Sequence, residues 1–216
     1  MDEQDICSGC YGKLQFPVGN LCCQCGKPIA DTAVYCKNCR NKAYTYLSGR
    51  AGLLYNGVMQ ESIARFKYGG RQEYGRFFGK LLWEQQGEWI RRIAPDLLVP
   101  VPLHHRRYRK RGYNQAQILA QQLSVYAGIP VADGLLLRVK NTLPQKELSW
   151  QERERNLQHA FQVNIPIRSL YENIKCAILI DDIYTTGSTV ELCSQVLQEA
   201  GIDNVYVLCL CIGKDS

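Results

Sequence analysis

The segment 177–190 constrains the fold more than any other part of this sequence. It begins as an apolar run, continues into two adjacent acids, Asp181 and Asp182, and then reaches threonines and a serine around Gly187. A continuous apolar run of this length is typical of a strand that is covered on both faces, as in parallel sheets. Apolar residues at helical spacing follow, so the segment predicts a strand, a loop and a helix, and hence an α/β fold.

The rest of the chain after Arg50 shows the same kind of pattern. Short apolar runs alternate with amphipathic stretches, which predicts a mostly parallel sheet with helices around it. The predicted strands are 97–101, 176–180 and 205–211, and the predicted helices are 59–68, 72–85, 116–127, 149–160 and 192–200. Four cysteines in this part are interpreted as small buried hydrophobic residues: Cys176, Cys193, Cys209 and Cys211.

The N-terminal part is rich in cysteine. Seven of the eleven cysteines precede residue 40, and six of them form C-x-x-C pairs, whose two-residue gap lets both thiolates of a tight turn face one cation. Two such pairs make a tetrahedral zinc site, for which we select Cys22, Cys25, Cys36 and Cys39. Cys7 and Cys10 are further candidate ligands, but with Cys23 they are one thiolate short of a second closed site. Free or redox-active cysteines without metal are the alternative.

A zinc ion resolves a physical problem of this N-terminal part. Some forty residues with few large apolar side chains cannot form a core, and a metal-binding free energy of roughly 10–16 kcal/mol can substitute for one. A fully ligated zinc has no open position for water, so its role is structural. We predict a zinc-ribbon domain at 1–45 and an α/β domain at 46–216, packed together because the connection near 40–50 is short.

Composition and charge exclude several classes of protein. A chain of 216 residues with 46% hydrophobic and 21% charged residues is neither disordered nor collagen-like. Its first residues are acidic where a signal peptide would be basic, and it has no apolar run of about 18 residues, so we expect a cytoplasmic protein that does not insert into membranes. The net charge of +6 is concentrated in one run: Arg106, Arg107, Arg109, Lys110 and Arg111.

That basic run has several interpretations. It suits a diphosphate, a nucleic-acid backbone or both, and the alternative is a solvated basic loop. Tyr108 and Tyr113 interleave with the cations, a weak sign of stacking with single-stranded nucleic acid. Lys67, followed by Gly69 and Gly70, is either a mobile cation that closes over the site or an exposed lysine at a helix end, and we favour the exposed lysine.

The two halves of the segment after residue 180 suit different chemical groups. Four hydroxyls, the close backbone approach that Gly187 permits and a helix N-terminus favour a monophosphate; the hydroxyls belong to Thr185, Thr186, Ser188 and Thr189. Asp181 and Asp182 suit sugar hydroxyls or a hydrated magnesium ion. A ribose 5-phosphate satisfies both halves. An ordinary strand end with a Ser/Thr helix cap is the alternative, although it does not explain the paired acids.

Residues 178–189 resemble the phosphoribosyl-pyrophosphate (PRPP) signature of type I phosphoribosyltransferases. The resemblance implies that Asp181 and Asp182 hold the ribose hydroxyls, that residues 185–189 hold the 5′-phosphate, and that the pyrophosphate binds opposite with magnesium. In the 6-oxopurine enzymes an aspartate precedes the Thr-Gly pair and serves as the base. Here that position is Thr185, so salvage of hypoxanthine or guanine is not expected.

Further motifs resemble the ComF family along nearly the whole chain. They are the cysteine-rich head, residues 65–70, 99–103 and 111–116, Arg138, and Gln145, Arg153, Asn156 and residues 160–161. Members of this family are linked to natural competence, in which single-stranded DNA enters the cytoplasm. Many members carry four C-x-x-C pairs, whereas this chain has three.

Two functions follow from these patterns. The leading one is a ComF-type phosphoribosyltransferase-like protein that binds PRPP with magnesium and handles incoming single-stranded DNA together with other competence proteins. If it is catalytic, it displaces pyrophosphate at the anomeric carbon of ribose, with an acceptor that the sequence does not identify. The rival is a non-catalytic nucleic-acid or protein interaction module, or a metabolite sensor, that keeps the transferase fold.

Overall fold

The computed structural model describes residues 6–140 and 160–213 of the chain. Its strands are β1 (Gly49–Leu54), β2 (Leu97–Pro100), β3 (Leu136–Arg138), β4 (Phe161–Val163), β5 (Cys176–Tyr184) and β6 (Asn204–Ile212). Four of them form a parallel sheet in the order β1-β6-β5-β2, and β3 pairs with β4 in a separate antiparallel ribbon. The predicted α/β fold with a parallel sheet is confirmed.

The helices are α1 (Ser8–Tyr11), α2 (Gly57–Tyr68), α3 (Tyr74–Ile93), α4 (His105–Arg111), α5 (Gln115–Ala127), α6 (Ile165–Arg168) and α7 (Ser188–Glu199). A 3-10 turn follows α6 at Ser169–Tyr171. Local chemistry sets several helix ends. Asn56 and Asn114 cap α2 and α5 by accepting hydrogen bonds from backbone N–H groups of the first turn, and Gly128 ends α5 in the left-handed conformation.

Both faces of the sheet are covered, which explains why its strands are apolar without alternation. One face carries Leu98, Ile178 and Leu208, which pack in one cluster with buried side chains of α2, α3 and α5. The other face carries Leu179 and Val207, and its cluster contains α7 together with the four cysteines of the predicted zinc site. The cysteine-rich head therefore takes the place of a helix on this face of the sheet.

Some predicted elements differ from the observed ones. The strand predicted at 176–180 continues to Tyr184, and the helix predicted at 72–85 continues to Ile93. Strand β1 begins inside the stretch that we interpreted as a connection. Its glycines hid the strand from the sequence pattern. Gly52 packs closely against α3, where a Cβ would lie 2.9 Å from Leu82 Cδ2. The helix predicted at 149–160 falls outside the described residues except for Ala160, which is not helical.

The interpretation of the cysteines in the α/β part is confirmed for three of them. Cys193, Cys209 and Cys211 are buried. Cys176 is only partly buried, because it is the first residue of β5 and lies at the rim of the sheet, so that interpretation was wrong.

The head and the α/β part are packed together, as the short connection predicts. Gln24 joins them through two hydrogen bonds: its carbonyl accepts from Gly49 N at 2.6 Å, and its amide donates to Tyr46 O at 2.7 Å. Leu47 N donates to Val205 O at 2.8 Å, so the connecting segment extends along β6. The domain boundary itself, at 45/46, stays a prediction.

Candidate functional site

Four cysteines of the head form a cluster that can hold a metal ion. The sulfurs of Cys22, Cys25, Cys36 and Cys39 all lie within 4.8 Å of one another, and all four residues are buried. A tetrahedron with metal–sulfur bonds of about 2.3 Å has edges of about 3.8 Å, and the Cys25 and Cys36 sulfurs are 3.8 Å apart. The donor set and its spacing fit a structural zinc ion.

The other cysteines of the head lie apart from this cluster. Cys7, Cys10 and Cys23 are exposed, and the backbone N of Cys10 donates to Cys7 O at 3.0 Å. Within residues 6–140 and 160–213, no second group of three or more potential ligands lies close enough together for one ion. A role of Cys7 and Cys10 in metal binding therefore stays a hypothesis.

The paired acids lie within β5 and not after it. Because β5 pairs with β6 as far as Tyr184, Asp181 is opposite Cys209 in the sheet, and its Oδ1 accepts a hydrogen bond from Asp182 N at 2.8 Å. Residues 185–187 form the turn, and α7 begins at Ser188. The predicted succession of strand, hydroxyl loop and helix is confirmed, but the strand is longer than predicted and contains the acids.

Gly187 fixes the shape of this turn in two ways. Its φ of 80° is the left-handed conformation, and a Cβ there would collide with Tyr184 Oη. As the N-cap residue, Gly187 has no side chain to occupy the N–H groups of the first turn of α7. These groups are the kind of donors that bind phosphate at helix N-termini.

A cavity of about 520 Å³ lies beside the carboxyl ends of β5 and β2. Four of the predicted PRPP-binding residues line it: Asp181, Asp182, Thr185 and Thr189. Thr186, Gly187 and Ser188 are not part of its wall, and the hydroxyls of Thr186 and Ser188 lie 2.9 Å apart within one hydrogen bond. Cations from several elements complete the wall: Lys67, Arg107, Lys110, Arg111 and Arg138.

Lys67 pairs directly with the acids of β5. Its Nζ forms an ion pair with Asp182 Oδ2, and the two side chains are only 18% and 13% exposed. The interpretation that we favoured, an exposed lysine at a helix end, was wrong. Lys67 is near the end of α2, and Phe66 beside it is fully buried, so the helix end is held against the cavity.

The charges in the cavity perturb one another. Burial, followed by repulsion from Asp182, raises the pKa of Asp181 to about 7. Burial, followed by repulsion from Arg107, lowers the pKa of Arg138 to about 10. Asp181 and Arg138 attract each other and thus oppose both shifts. The site concentrates charge of both signs in a poorly solvated space, which is typical of a site for a charged ligand.

The basic run is a helix, α4, and not the loop that we predicted. The Nδ1 of His104 caps it by accepting from Arg106 N at 3.3 Å, and Gly112 ends it in the left-handed conformation. Only one side of α4 faces the cavity, with Arg107, Lys110 and Arg111. Arg106 and Arg109 are exposed outside it.

The two tyrosines of the basic run have different environments. Tyr108 is 47% exposed, but Tyr113 is buried and donates its hydroxyl to Phe66 O. The interpretation of Tyr113 as a stacking residue was therefore wrong.

Several residues that line the cavity were not predicted as site residues, among them Arg138 and Tyr68. Arg138 ends β3, and its guanidinium lies 5.3 Å from the centre of the Phe161 ring. Tyr68 ends α2 at the rim of the cavity. Only their occurrence in family motifs marked these residues. Gln145, Arg153 and Asn156 were marked in the same way and lie outside the described residues.

The metal cluster and the cavity are connected by a tyrosine-rich segment. Tyr44 Oη donates to Thr186 O at 3.2 Å, and Tyr46 and Tyr184 share a buried hydrogen bond of 2.7 Å between their hydroxyls. Thr45 donates from both its N and its Oγ1 to the carboxylate of Glu191 on α7. Since the cysteines pack in the same cluster as Tyr46 and Tyr184, the head supports the turn at 185–187.

Among the described residues, no helix combines the length and apolar character that crossing a bilayer requires.

Comparison with known proteins places these features in a family. No family model matches the chain. Competence protein F of Haemophilus influenzae is 32% identical over 210 residues, which are 95% of this chain and 89% of that protein. DNA utilization protein YhgH of Salmonella typhimurium is 33% identical over the same shares of both chains. Competence protein ComFC of Bacillus subtilis is 30% identical over 208 residues, 92% of this chain and 80% of that protein. Such similarity along almost the whole length shows that the chain belongs to the ComF family, as its motifs indicated.

Proposed function

We propose that this protein binds PRPP with magnesium in the cavity beside β5 and acts in the handling of incoming single-stranded DNA. The proposal rests on one observation: the two sides of the cavity carry opposite charges. Two acids and the start of α7 lie on one side, and cations of α2, α4 and β3 surround them. A volume of about 520 Å³ is within the range of sites for small molecules.

The proposed pose assigns each part of PRPP to a different group of residues. Asp181 and Asp182 accept hydrogen bonds from the ribose hydroxyls, since ionised carboxylates only accept. Thr185, Thr189 and the N–H groups at the start of α7 hold the 5′-phosphate. Arg107, Lys110, Arg111 and Arg138 face the pyrophosphate, whose charge magnesium would help to neutralise.

Ligand binding changes the pairing of Lys67. A ribose that reaches Asp182 competes with the Lys67 ammonium for the same carboxylate. Lys67 then becomes available to the pyrophosphate, which is the strongest anion of the ligand. Both charges of the ion pair thus gain a partner when PRPP binds.

Any turnover would displace pyrophosphate from the anomeric carbon of ribose. The bond from that carbon to the pyrophosphate oxygen breaks, the acceptor donates the electron pair of the new bond, and pyrophosphate leaves with the old one. Cations around the leaving group stabilise its growing charge, and the acids stabilise the positive charge on the ribose ring.

The proposed metal of the head is zinc with a structural role. Four buried thiolates leave no ligand position for water or substrate. We place the protein in the cytoplasm, because a reducing compartment keeps such thiolates available to the metal. The role in competence rests on the relatives named Competence protein F and ComFC, and the link to DNA also on the relatives named DNA utilization protein.

A metabolite sensor is the second candidate function. The hydrogen bonds from Tyr44 and Thr45 to Thr186 and Glu191 favour it, because they connect the proposed phosphate loop to the surface of the head. In such a protein, PRPP would change how the head contacts DNA or another competence protein.

Calorimetric titration of zinc-loaded protein with PRPP in magnesium tests the proposal. We expect binding by the wild type and a loss of at least about tenfold in the Asp181→Asn/Asp182→Asn variant, because two acceptors of the ribose hydroxyls become amides. Asp203→Asn is the matched control, since this exposed acid pairs with Lys175 away from the cavity. Equal PRPP affinity of the wild type and the double variant, or no binding to the folded wild type, would contradict the proposal.

A further inference from the structure

An exposed aromatic side chain lies at the mouth of the cavity. Tyr68 is 67% exposed, more than any other described tyrosine, and it lines a cavity that also contains five cationic side chains and two acids. It is the last residue of α2, and Lys67, the residue before it, is paired with Asp182. Tyr68 therefore directly follows a residue that is held at the proposed ribose site.

Arg111 covers part of the Tyr68 ring and holds it. The guanidinium lies 4.8 Å from the ring centre and donates to Tyr68 Oη at 3.0 Å. Its other terminal nitrogen donates to Gln115 Oε1 at 2.9 Å, and Gln115 is itself buried and donates to Phe66 O at 3.4 Å. A flexible pair of surface side chains is thus tied to two buried residues, which lowers the entropy cost of binding to it.

Part of the Tyr68 ring remains free to bind a ligand. Arg111 already lies over the ring at 4.8 Å, and Tyr68 is still 67% exposed, so much of the ring remains open to solvent. A planar, weakly polar surface beside a guanidinium is the surface on which nucleobases stack, through their π faces and through cation–π contact.

The surroundings fit the phosphates that accompany a base in a strand. The sequence of α4 is HRRYRKR and contains no acidic residue. Arg106, Arg109 and Lys110 are exposed on it, and Tyr108 adds a second exposed ring. A strand whose base stacks on Tyr68 has this cationic helix beside it for its backbone.

We propose that Tyr68 and Arg111 form a stacking platform for a nucleobase at the mouth of the cavity. This inference rests on the proposed function and deepens it, because a base held there lies beside the site assigned to ribose. The base belongs either to single-stranded DNA or to a free base or nucleotide. Both sources use the same stacking chemistry, and the experiment separates them.

The test compares a normal strand with one that lacks bases. Fluorescence anisotropy measures binding of an oligodeoxythymidylate of about 16 nucleotides, which is within the range of single-strand sites, and of an abasic strand of equal length and charge. The difference in affinity between the two strands isolates the contribution of the bases from that of the phosphates. Free adenine and uracil are titrated in a third arm.

We expect Tyr68→Ala to weaken binding of the normal strand by about 5- to 150-fold, the range that corresponds to the loss of one stacked base. The affinity for the abasic strand stays within about twofold, since the cations of α4 remain. Tyr68→Phe keeps the ring and should retain most of the preference for bases. Tyr126→Ala removes a half-exposed tyrosine of α5 that is not part of the cavity wall and serves as the matched control.

Each outcome decides the proposal. If Tyr68→Ala abolishes the preference for the normal strand, the platform holds a base of DNA. If the wild type does not distinguish the strands but binds a free base that Tyr68→Ala does not bind, the platform holds the free base. If Tyr68→Ala changes neither the preference for the normal strand nor the binding of free bases, the platform does not exist. All arms are run without PRPP, so they are independent of PRPP binding, which calorimetry measures separately.

Discussion

The cysteine cluster and the cavity are assembled in opposite ways. All four sulfurs of the cluster come from one short stretch, residues 22–39, and two local turns present them. The cavity collects its charges from α2, α4, β3 and β5, so its residues are spread from Lys67 to Thr189. The cluster depends on local turn geometry and a metal ion, whereas the cavity depends on the sheet that brings distant segments together.

The two regions also differ in what stabilises them, although they share a boundary. The head buries its cysteines against one face of the sheet, but its own large apolar side chains are few. The cavity lies on a core of fully buried strand residues such as Val99 and Ile180. The hydrogen bond from Tyr44 Oη to Thr186 O crosses the boundary. Tyr46 and Tyr184 share a buried hydrogen bond, and burial raises the pKa of both hydroxyls, so neither ionises at neutral pH.

The largest expected effect comes from removing one ligand of the proposed zinc ion. Cys36→Ser should release the metal and unfold the head, because binding of a structural zinc contributes about 10–16 kcal/mol, which is comparable to the net stability of a whole domain, about 5–15 kcal/mol. The loss should reach the cavity, since Tyr44 and Thr45 would no longer support residues 186 and 191. Zinc content, limited proteolysis of the head and PRPP titration measure these three effects.

Cys23→Ser is the matched control for this experiment. Cys23 lies directly beside a ligand in sequence but is exposed. We expect full zinc content and an unchanged cavity in this variant. Normal zinc content in Cys36→Ser would show that the four sulfurs do not hold the metal. Loss of zinc with unchanged PRPP affinity would show that the two regions are independent.

The difference in assembly explains what the sequence reveals of each region. The four ligands could be selected residue by residue, because the spacing of C-x-x-C pairs is itself the geometry of the site. Asp181 and Asp182 could be selected as well, since two adjacent acids at the end of an apolar strand are costly to bury unless they bind a partner. Lys67 could not, because its burial depends on how α2 packs against a strand more than a hundred residues later.

Several other features were not predicted from the sequence, because packing between distant segments determines them. Strand β1 contains Gly49 and Gly52 and has too few large side chains to show a period, and at Gly52 the side chains of Leu81 and Leu82 leave little room for a Cβ. Helix α4 is short and has no buried residue, so only His104 at its start and Gly112 after its end marked it. Tyr113 resembled Tyr108 in sequence context, but its direction toward Phe66 is set by the packing of α5.

The second-largest effect is expected when a side chain is added at Gly187, in the turn beside the cavity. Gly187→Ala should destabilise the protein by about 2–5 kcal/mol, because an L-residue at positive φ costs about 1–2 kcal/mol and overpacking against Tyr184 adds about 1–3 kcal/mol. Gly134→Ala is the matched control: its φ of 75° is similar, but no atom lies within 4 Å of the added Cβ. Urea unfolding of both variants separates the contact from the strain, and equal losses would mean that Tyr184 does not confine the turn.

The smallest expected effect is a dependence of stability on pH, which comes from the charge of Asp181 in the cavity. An ordinary aspartate has a pKa of 3.8, whereas the pKa of Asp181 in the folded protein is about 7. Because the folded state binds this proton more tightly, its contribution to stability is complete below pH 3.8 and is lost as the pH rises through 7. The full loss corresponds to at most about 4 kcal/mol.

Asp181→Asn should remove this dependence, because an amide does not titrate. In the absence of PRPP and magnesium, the free energy of unfolding of the wild type should fall by about 2 kcal/mol more than that of the variant between about pH 5.5 and about pH 8. Urea unfolding at the two pH values measures the difference, and Asp203→Asn, an exposed acid, should behave as the wild type. Parallel curves for the wild type and Asp181→Asn would show that Asp181 is ionised throughout this range. The cavity would then hold both acids charged before any ligand arrives, and its cations would have to stabilise the pair without help from a proton.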